Sequence, residues 1–286
     1  MRKAMKLYLC YVSVILRSTM QYKLSFILML FGRFILAFNG FVAIWFLFSG
    51  FTRIGSYSFS DVLLCFSVIQ MSFSIAECMG SGFKSFSGMI RKGEFDRMLL
   101  RPRSPILQVL GTRFELGRLG PMITAVITLV IGIEKSHLVW DTARILTLLM
   151  MVAGGSILFT ALFMLGASFC FFSVDDAGII NVLTYGAREH GKYPIDIYGK
   201  GMMAFCTYII PYTLIQYYPL QFLLGKTQHW QYALAVCTVS DGEYSVLLFV
   251  LSGLEMGNAS LQILRKLILS GLTGVDLFVC NLYRIL

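Results

Sequence analysis

Long apolar runs separated by short polar breaks dominate the chain, and runs of this length predict helices rather than strands. Six candidate spans follow: approximately Leu24 or Phe34 to Phe51, Asp61 to Gly80, Leu119 to Ile133, Ile145 to Cys170, Gly201 to Pro219, and Gln231 to Ser252. A helical crossing takes roughly 20 mostly apolar residues, so the pattern predicts an all-α integral membrane protein with about six transmembrane helices. The third run is short unless Arg113 to Arg118 lies at the interface with its long side chains snorkelling, and Pro211 should kink the fifth.

Ahead of the first run, Arg2, Lys6, Cys10, Ser13, Arg17 and Gln21 recur every three or four residues between Leu7, Tyr8, Leu9, Val12, Ile15 and Leu16. This spacing gives one basic, polar face with no acid before Asp61. It predicts an N-terminal interfacial amphipathic helix over residues 1–23, lying on anionic membrane lipid. An extension of the first span is the alternative.

Composition narrows the class further. With 57% hydrophobic and 14% charged residues and a mean hydropathy of +0.74, too little polar surface remains for a soluble globule. The formal charge of +9 sits beside apolar runs, which points to membrane topology and to no nucleic acid. Lys and Arg crowd the start and the connection from Ser81 to Arg118, while Arg53 stands alone after the first span and Lys135 and Arg144 are offset by Glu134 and Asp141. Positive residues mark cytoplasmic loops, so the N-terminus, the 81–118 connection and the chain end are expected in the cytoplasm. The first apolar run is too long and begins too late for a cleaved signal. Residues 1–252 read as a single transmembrane domain.

Candidate chemistry is sparse. The seven cysteines, Cys10, Cys65, Cys78, Cys170, Cys206, Cys237 and Cys280, are scattered without a CxxC pair and read as packing residues. His137, His190 and His229 lack metal-ligand spacing and read as loop residues. Leu220 to Thr227 ends like a phosphate-binding loop, but Leu220 stands where the first glycine is needed, and no GxxxxGK[ST] occurs elsewhere. Neither a catalytic set nor a nucleotide site is therefore expected on this chain. Asp175 and Asp176 read as capping after Ser173, with a carboxylate pair as the alternative. Glu77 and Arg33 sit near the edges of apolar runs, where interface positions are expected and a role in translocation is the alternative.

The most informative segment is Gly93-Glu94-Phe95-Asp96-Arg97-Met98-Leu99-Leu100-Arg101-Pro102-Arg103-Ser104-Pro105. Gly93 breaks the preceding helix, Glu94 to Leu100 supplies about two helical turns, and Pro102 and Pro105 stop continuation. A short helix at the membrane surface, both charged and apolar, suits a soluble partner. Spacing alone leaves an ordinary topology-setting basic loop equally open.

At this segment the chain resembles the permeases of type 2 ATP-binding-cassette exporters, in particular a bacterial six-span subfamily with a Gly-x-Phe-Asp-x-x-Leu-x-Arg-Pro-x-Ser-Pro loop. All fixed positions are occupied: Gly93, Phe95, Asp96, Leu99, Arg101, Pro102, Ser104 and Pro105. Tyr193-Pro194-Ile195-Asp196-Ile197-Tyr198, Ile210-Pro211 and Tyr218-Pro219 add to the similarity, which covers roughly residues 1–235. The resemblance implies a bacterial inner-membrane permease, dimeric with an identical or different second permease, above two ATPase subunits that hold the ATP and Mg. It implies that the 81–118 connection couples to the ATPase through Gly93, Glu94, Phe95, Asp96, Arg97, Leu99, Leu100 and Arg101. Export of drugs, antibiotics or lipid-like compounds is the implied substrate range.

Residues 253–286 depart from that family. Its members tend to end in a Trp-x-x-Gly-x-x-x-Tyr tail, whereas this chain reads Leu254-Glu255-Met256-Gly257-Asn258-Ala259-Ser260-Leu261. Plausible codons for these residues, read one nucleotide later, give Trp-Lys-Trp-Gly-Met-Arg-His-Tyr, so a frameshift upstream of Leu254 is expected. Two other functions fit the membrane pattern: an intramembrane enzyme on lipid-linked substrates, and a scaffold that recruits a soluble partner without transport.

Overall fold

A computed structural model of the chain describes residues 2–101, 105–136, 138–170, 181–208 and 212–226. Among these residues the architecture is helical and contains no strand. Helix α1 (Arg2–Met20) turns at Gln21 and Tyr22 into α2 (Lys23–Gly50). A loop leads to α3 (Phe59–Lys84), whose start is held by Asp61: its carboxylate accepts the Ser58 backbone N–H at 3.0 Å, satisfying a donor that the helix cannot. Three short helices follow, α4 (Phe86–Arg91), α5 (Glu94–Leu99) and α6 (Pro105–Thr112), before α7 (Leu119–Lys135) and α8 (Thr142–Phe169). Pro121 is tolerated in the first turn of α7, where a missing N–H breaks no intrahelical bond.

Four helical stretches are long and apolar enough to cross a membrane: Lys23–Gly50, Phe59–Arg91, Leu116–Lys135 and Thr142–Ala167. They match the first four expected spans. The helix α3 is central and mostly buried, with α7 and α8 packed along it, whereas α2 is largely exposed and touches α7 and the outer part of α3. Lipid accepts apolar surface readily, so contact between membrane helices depends on close fit. Small residues at four-residue intervals on α7, Gly120, Thr124, Thr128 and Gly132, are buried, with Gly120 against the Leu30 carbonyl of α2 and Gly132 against Leu64 of α3. On the opposite side Phe73 of α3 meets Phe159 of α8 edge-on at 5.0 Å between ring centroids.

The fifth expected span needs correction. Among the described residues of 201–219 the helical pieces are Lys200–Tyr208, Tyr212–Ile215 and Tyr217–Leu223, with an interruption at Gln216. Pro219 has no N–H to give the Ile215 carbonyl, which accounts for the interruption at Gln216. The chain instead ascends beside α3 earlier, through a π-helical turn at Val182–Gly186, helix Ala187–His190 and a 3₁₀ turn at Ile195–Tyr198. Its contacts run backwards along α3: Tyr185 with Glu77, Arg188 with Gln70, Gly191 with Cys65, and Asp196 with Tyr57. A second ascent follows the same direction, as Gln216 reaches Cys65, Gln221 reaches Tyr57 and Lys226 reaches Ser56. The expected sixth span, Pro211, His137, His229, Asp175, Asp176 and residues 253–286 lie outside the described residues.

Candidate coupling segment and transmembrane ion cluster

The α4–α5 junction turns at Gly93, whose φ of +64° lies in the left-handed region that a side chain would strain. That turn orients α5 (Glu94–Leu99) so that its residues divide sharply. Phe95 is buried, its ring edge-on to Phe86 at 5.0 Å, within the same core cluster as Met89 and Val109. Asp96, Arg97, Leu99, Leu100 and Arg101 are exposed, Leu100 by 86%, and Glu94 is half-buried. Thus the eight residues singled out in the sequence do come together, but Phe95 points into the chain's own core and anchors the face that the others present. Pro102, Arg103 and Ser104 lie outside the described residues.

Behind this face, α6 is held to α5 by Gln108, whose Nε2 donates to the Met98 carbonyl at 3.3 Å. It also seats against α3 at Gly82: a Cβ there would stand 2.0 Å from the Val109 carbonyl oxygen. Ser81 donates to the Arg113 carbonyl at 2.8 Å, and the Glu115 N–H to the Cys78 carbonyl at 3.2 Å. Residues from α6 to Glu115 are therefore tied to the C-terminal half of α3. On its outer side α6 carries the Tyr11 ring of α1 over Gly111.

These ties end in a chain of ions. Arg33 on α2 pairs with Glu115 at 2.5 Å, Glu115 lies 3.8 Å from Arg118, and Arg118 donates to Glu77 at 2.5 Å. Glu77 also accepts from Lys84, and from the Tyr185 hydroxyl at 2.8 Å. The expectation that Glu77 reaches the headgroups is overturned. Glu77 is 0% exposed and Arg33 half-buried, and both belong to one network joining α2, α3, the 113–118 linker and the 181–190 ascent. Arg118, expected to snorkel, turns inward for the same reason: a buried carboxylate is costly without a cation, and two flank this one.

The network had a signal in the sequence. Ser67, Gln70, Ser74, Glu77, Ser81 and Lys84 recur at alternating intervals of three and four, one polar stripe along α3. Five of the six are buried, at 2% exposure or less. The hydropathy of the window hides the stripe, because the remaining faces of α3 are uniformly apolar.

At the other end of α3, Tyr57 closes a second polar contact. Its hydroxyl donates to Asp196 at 2.9 Å and accepts from Gln221 at 2.6 Å, with Lys226 Nζ 3.5 Å above the ring centroid. Burial, then the neighbouring Asp196 carboxylate, pushes the Tyr57 phenol above its ordinary value. Of the described cysteines, Cys65, Cys170 and Cys206 are buried, Cys78 half-buried and Cys10 exposed. His190 is the last residue of a short helix and packs edge-on against Tyr198.

Helices long and apolar enough to cross a membrane, with a polar stripe buried within them, define a polytopic membrane protein. The chain belongs to the ABC-2 family of transporter proteins, whose description matches residues 34–259. It is thus a membrane transport component, and permeases of this family normally work with an ATPase subunit. Comparison with curated proteins and with solved structures finds no match.

Proposed function

We propose that the chain is the membrane-spanning permease of an ATP-driven exporter in a bacterial inner membrane, with its N-terminus cytoplasmic. Residues 93–101 receive the force of a separate ATPase subunit, which holds the ATP and Mg, and a second permease completes the path. The observation that carries this reading is the division of α5: Phe95 fixes the helix to the core while Asp96, Arg97, Leu99, Leu100 and Arg101 face outward. A helix braced in this way transmits a displacement instead of absorbing it. From α5 the route runs through Gln108 to α6, through Gly82 and Ser81 to α3, and through Arg118 and Glu77 to Tyr185 on the ascending segment. In this orientation the ion cluster lies towards the cytoplasm and the Tyr57–Asp196 contact towards the outside.

Affinity purification of the tagged chain from native membranes in mild detergent tests the proposal. Stoichiometric recovery of an ATP-binding subunit, with a second permease, is expected. Recovery of the chain alone would remove the ATP-driven reading.

A further inference from the structure

We infer that Arg188, clamped by Gln70 and Phe73, forms a binding site at mid-membrane depth for an anionic group, phosphate or carboxylate, of the ligand this chain carries. The inference builds on the transport reading and gives it a ligand chemistry. Gln70 is about 17 Å along α3 from Phe59 and about 21 Å from Lys84, so a group that touches it is near the middle of the span. Arg188 arrives there from the ascending segment. Its Nε donates to Gln70 Oε1 at 3.2 Å, and its guanidinium carbon stands 4.9 Å from the centroid of the Phe73 ring.

Those two contacts use one edge and one face of the guanidinium. Its two Nη groups make no hydrogen bond to any described residue, and neither is a sealed, unpartnered donor. The carboxylates nearby are engaged elsewhere: Glu77 with Lys84 and Arg118, Glu115 with Arg33, Glu189 with Lys192. Among the described residues Arg188 therefore has no direct salt-bridge partner, at a depth where a charge is costly to leave uncompensated. The free edge presents paired N–H groups in a planar fork, the geometry that matches carboxylate and phosphate oxygens. The Phe73 ring face holds the guanidinium plane in place and is itself attracted to the cation.

The test uses the full chain in neutral detergent, titrated with dodecyl phosphate and with dodecyltrimethylammonium, binding being read by tryptophan fluorescence and thermal stabilisation. Saturable binding of dodecyl phosphate is expected, at least about tenfold tighter than the ammonium, falling about tenfold in Arg188→Gln and recovering in part in Arg188→Lys. Displacement by inorganic phosphate assigns the site to a free anion; failure to displace assigns it to an anion borne on an apolar chain. Equal binding of the two amphiphiles by the native chain overturns the inference, and this comparison needs no variant. Equal affinity in native protein and a folded Arg188→Gln overturns it as well. Since binding is read without the ATPase, failure here leaves partner recovery intact, and failed partner recovery leaves this titration readable.

Discussion

The Tyr185 hydroxyl donates to Glu77 Oε1 at 2.8 Å, joining residues 108 positions apart. This contact bridges the first half of the bundle, built on α3, to the segment that ascends beside it. Glu77 is at the same time the acceptor for Arg118, which belongs to the linker behind the coupling segment. One carboxylate thus holds three parts of the chain.

Replacing that carboxylate by its amide tests its weight. Glu77→Gln keeps the shape but leaves Lys84 without its anion and Arg118 with the more distant Glu115 alone, a change expected to cost about 3 kcal/mol. Thermal unfolding in detergent should show a clearly lowered midpoint. An unchanged midpoint would mean that water or lipid phosphate replaces the carboxylate without loss.

Anchoring and docking separate on α5. Asp96→Ala and Leu100→Asp alter exposed side chains and are expected to leave unfolding within about 0.5 kcal/mol of native while reducing ATPase recovery. Phe95→Ala removes a buried ring and is expected to destabilise the fold by about 3–5 kcal/mol. Normal ATPase recovery by both surface variants would show that the partner binds elsewhere.

Gly82→Ala places a methyl group into the Val109 carbonyl, and backbone atoms cannot step aside as a flexible side chain does. A loss of about 1–3 kcal/mol is expected. Cysteine cross-linking between α3 and α6 should become slower as the two helices are pushed apart. Cross-linking at the native rate would indicate that α6 tilts without separating.

The Tyr57 contact carries a pH signature. A phenol whose folded pKa lies above its unfolded value near 10 contributes stability that is complete below pH 10 and is lost as pH rises towards the folded value. Unfolding midpoints should therefore hold to about pH 10 and fall above it, with a smaller alkaline fall in Tyr57→Phe. Identical alkaline profiles for native protein and variant would place the loss in other groups.

The four long helices were legible because lipid imposes a minimum length and apolar content on any crossing, and α2, α3, α7 and α8 meet it by composition alone. Gly93 and the following two turns were legible for a local reason as well, since a left-handed turn needs glycine and proline halts the helix. The region 181–226 was not. Its hydropathy predicts a span at 201–219, but Pro219 and the polar partners offered by α3 at Gln70, Cys65 and Tyr57 divide it into shorter pieces and move the ascent to Tyr185–Asp196.

The amino-acid sequence by itself determined the solvent this protein folds in, the helical class and the short helix that follows Gly93, because each depends on residues that are neighbours along the chain. Tertiary structure decided which charges are buried. Arg33, Glu77, Glu115 and Arg118 have ordinary positions in their own segments, and only packing α2, α3 and the linker before α7 together makes them one another's counterions, with Tyr185 of the ascending segment donating to Glu77. Electrostatic pairing of this kind depends on distance in space, which periodicity along a single helix does not encode.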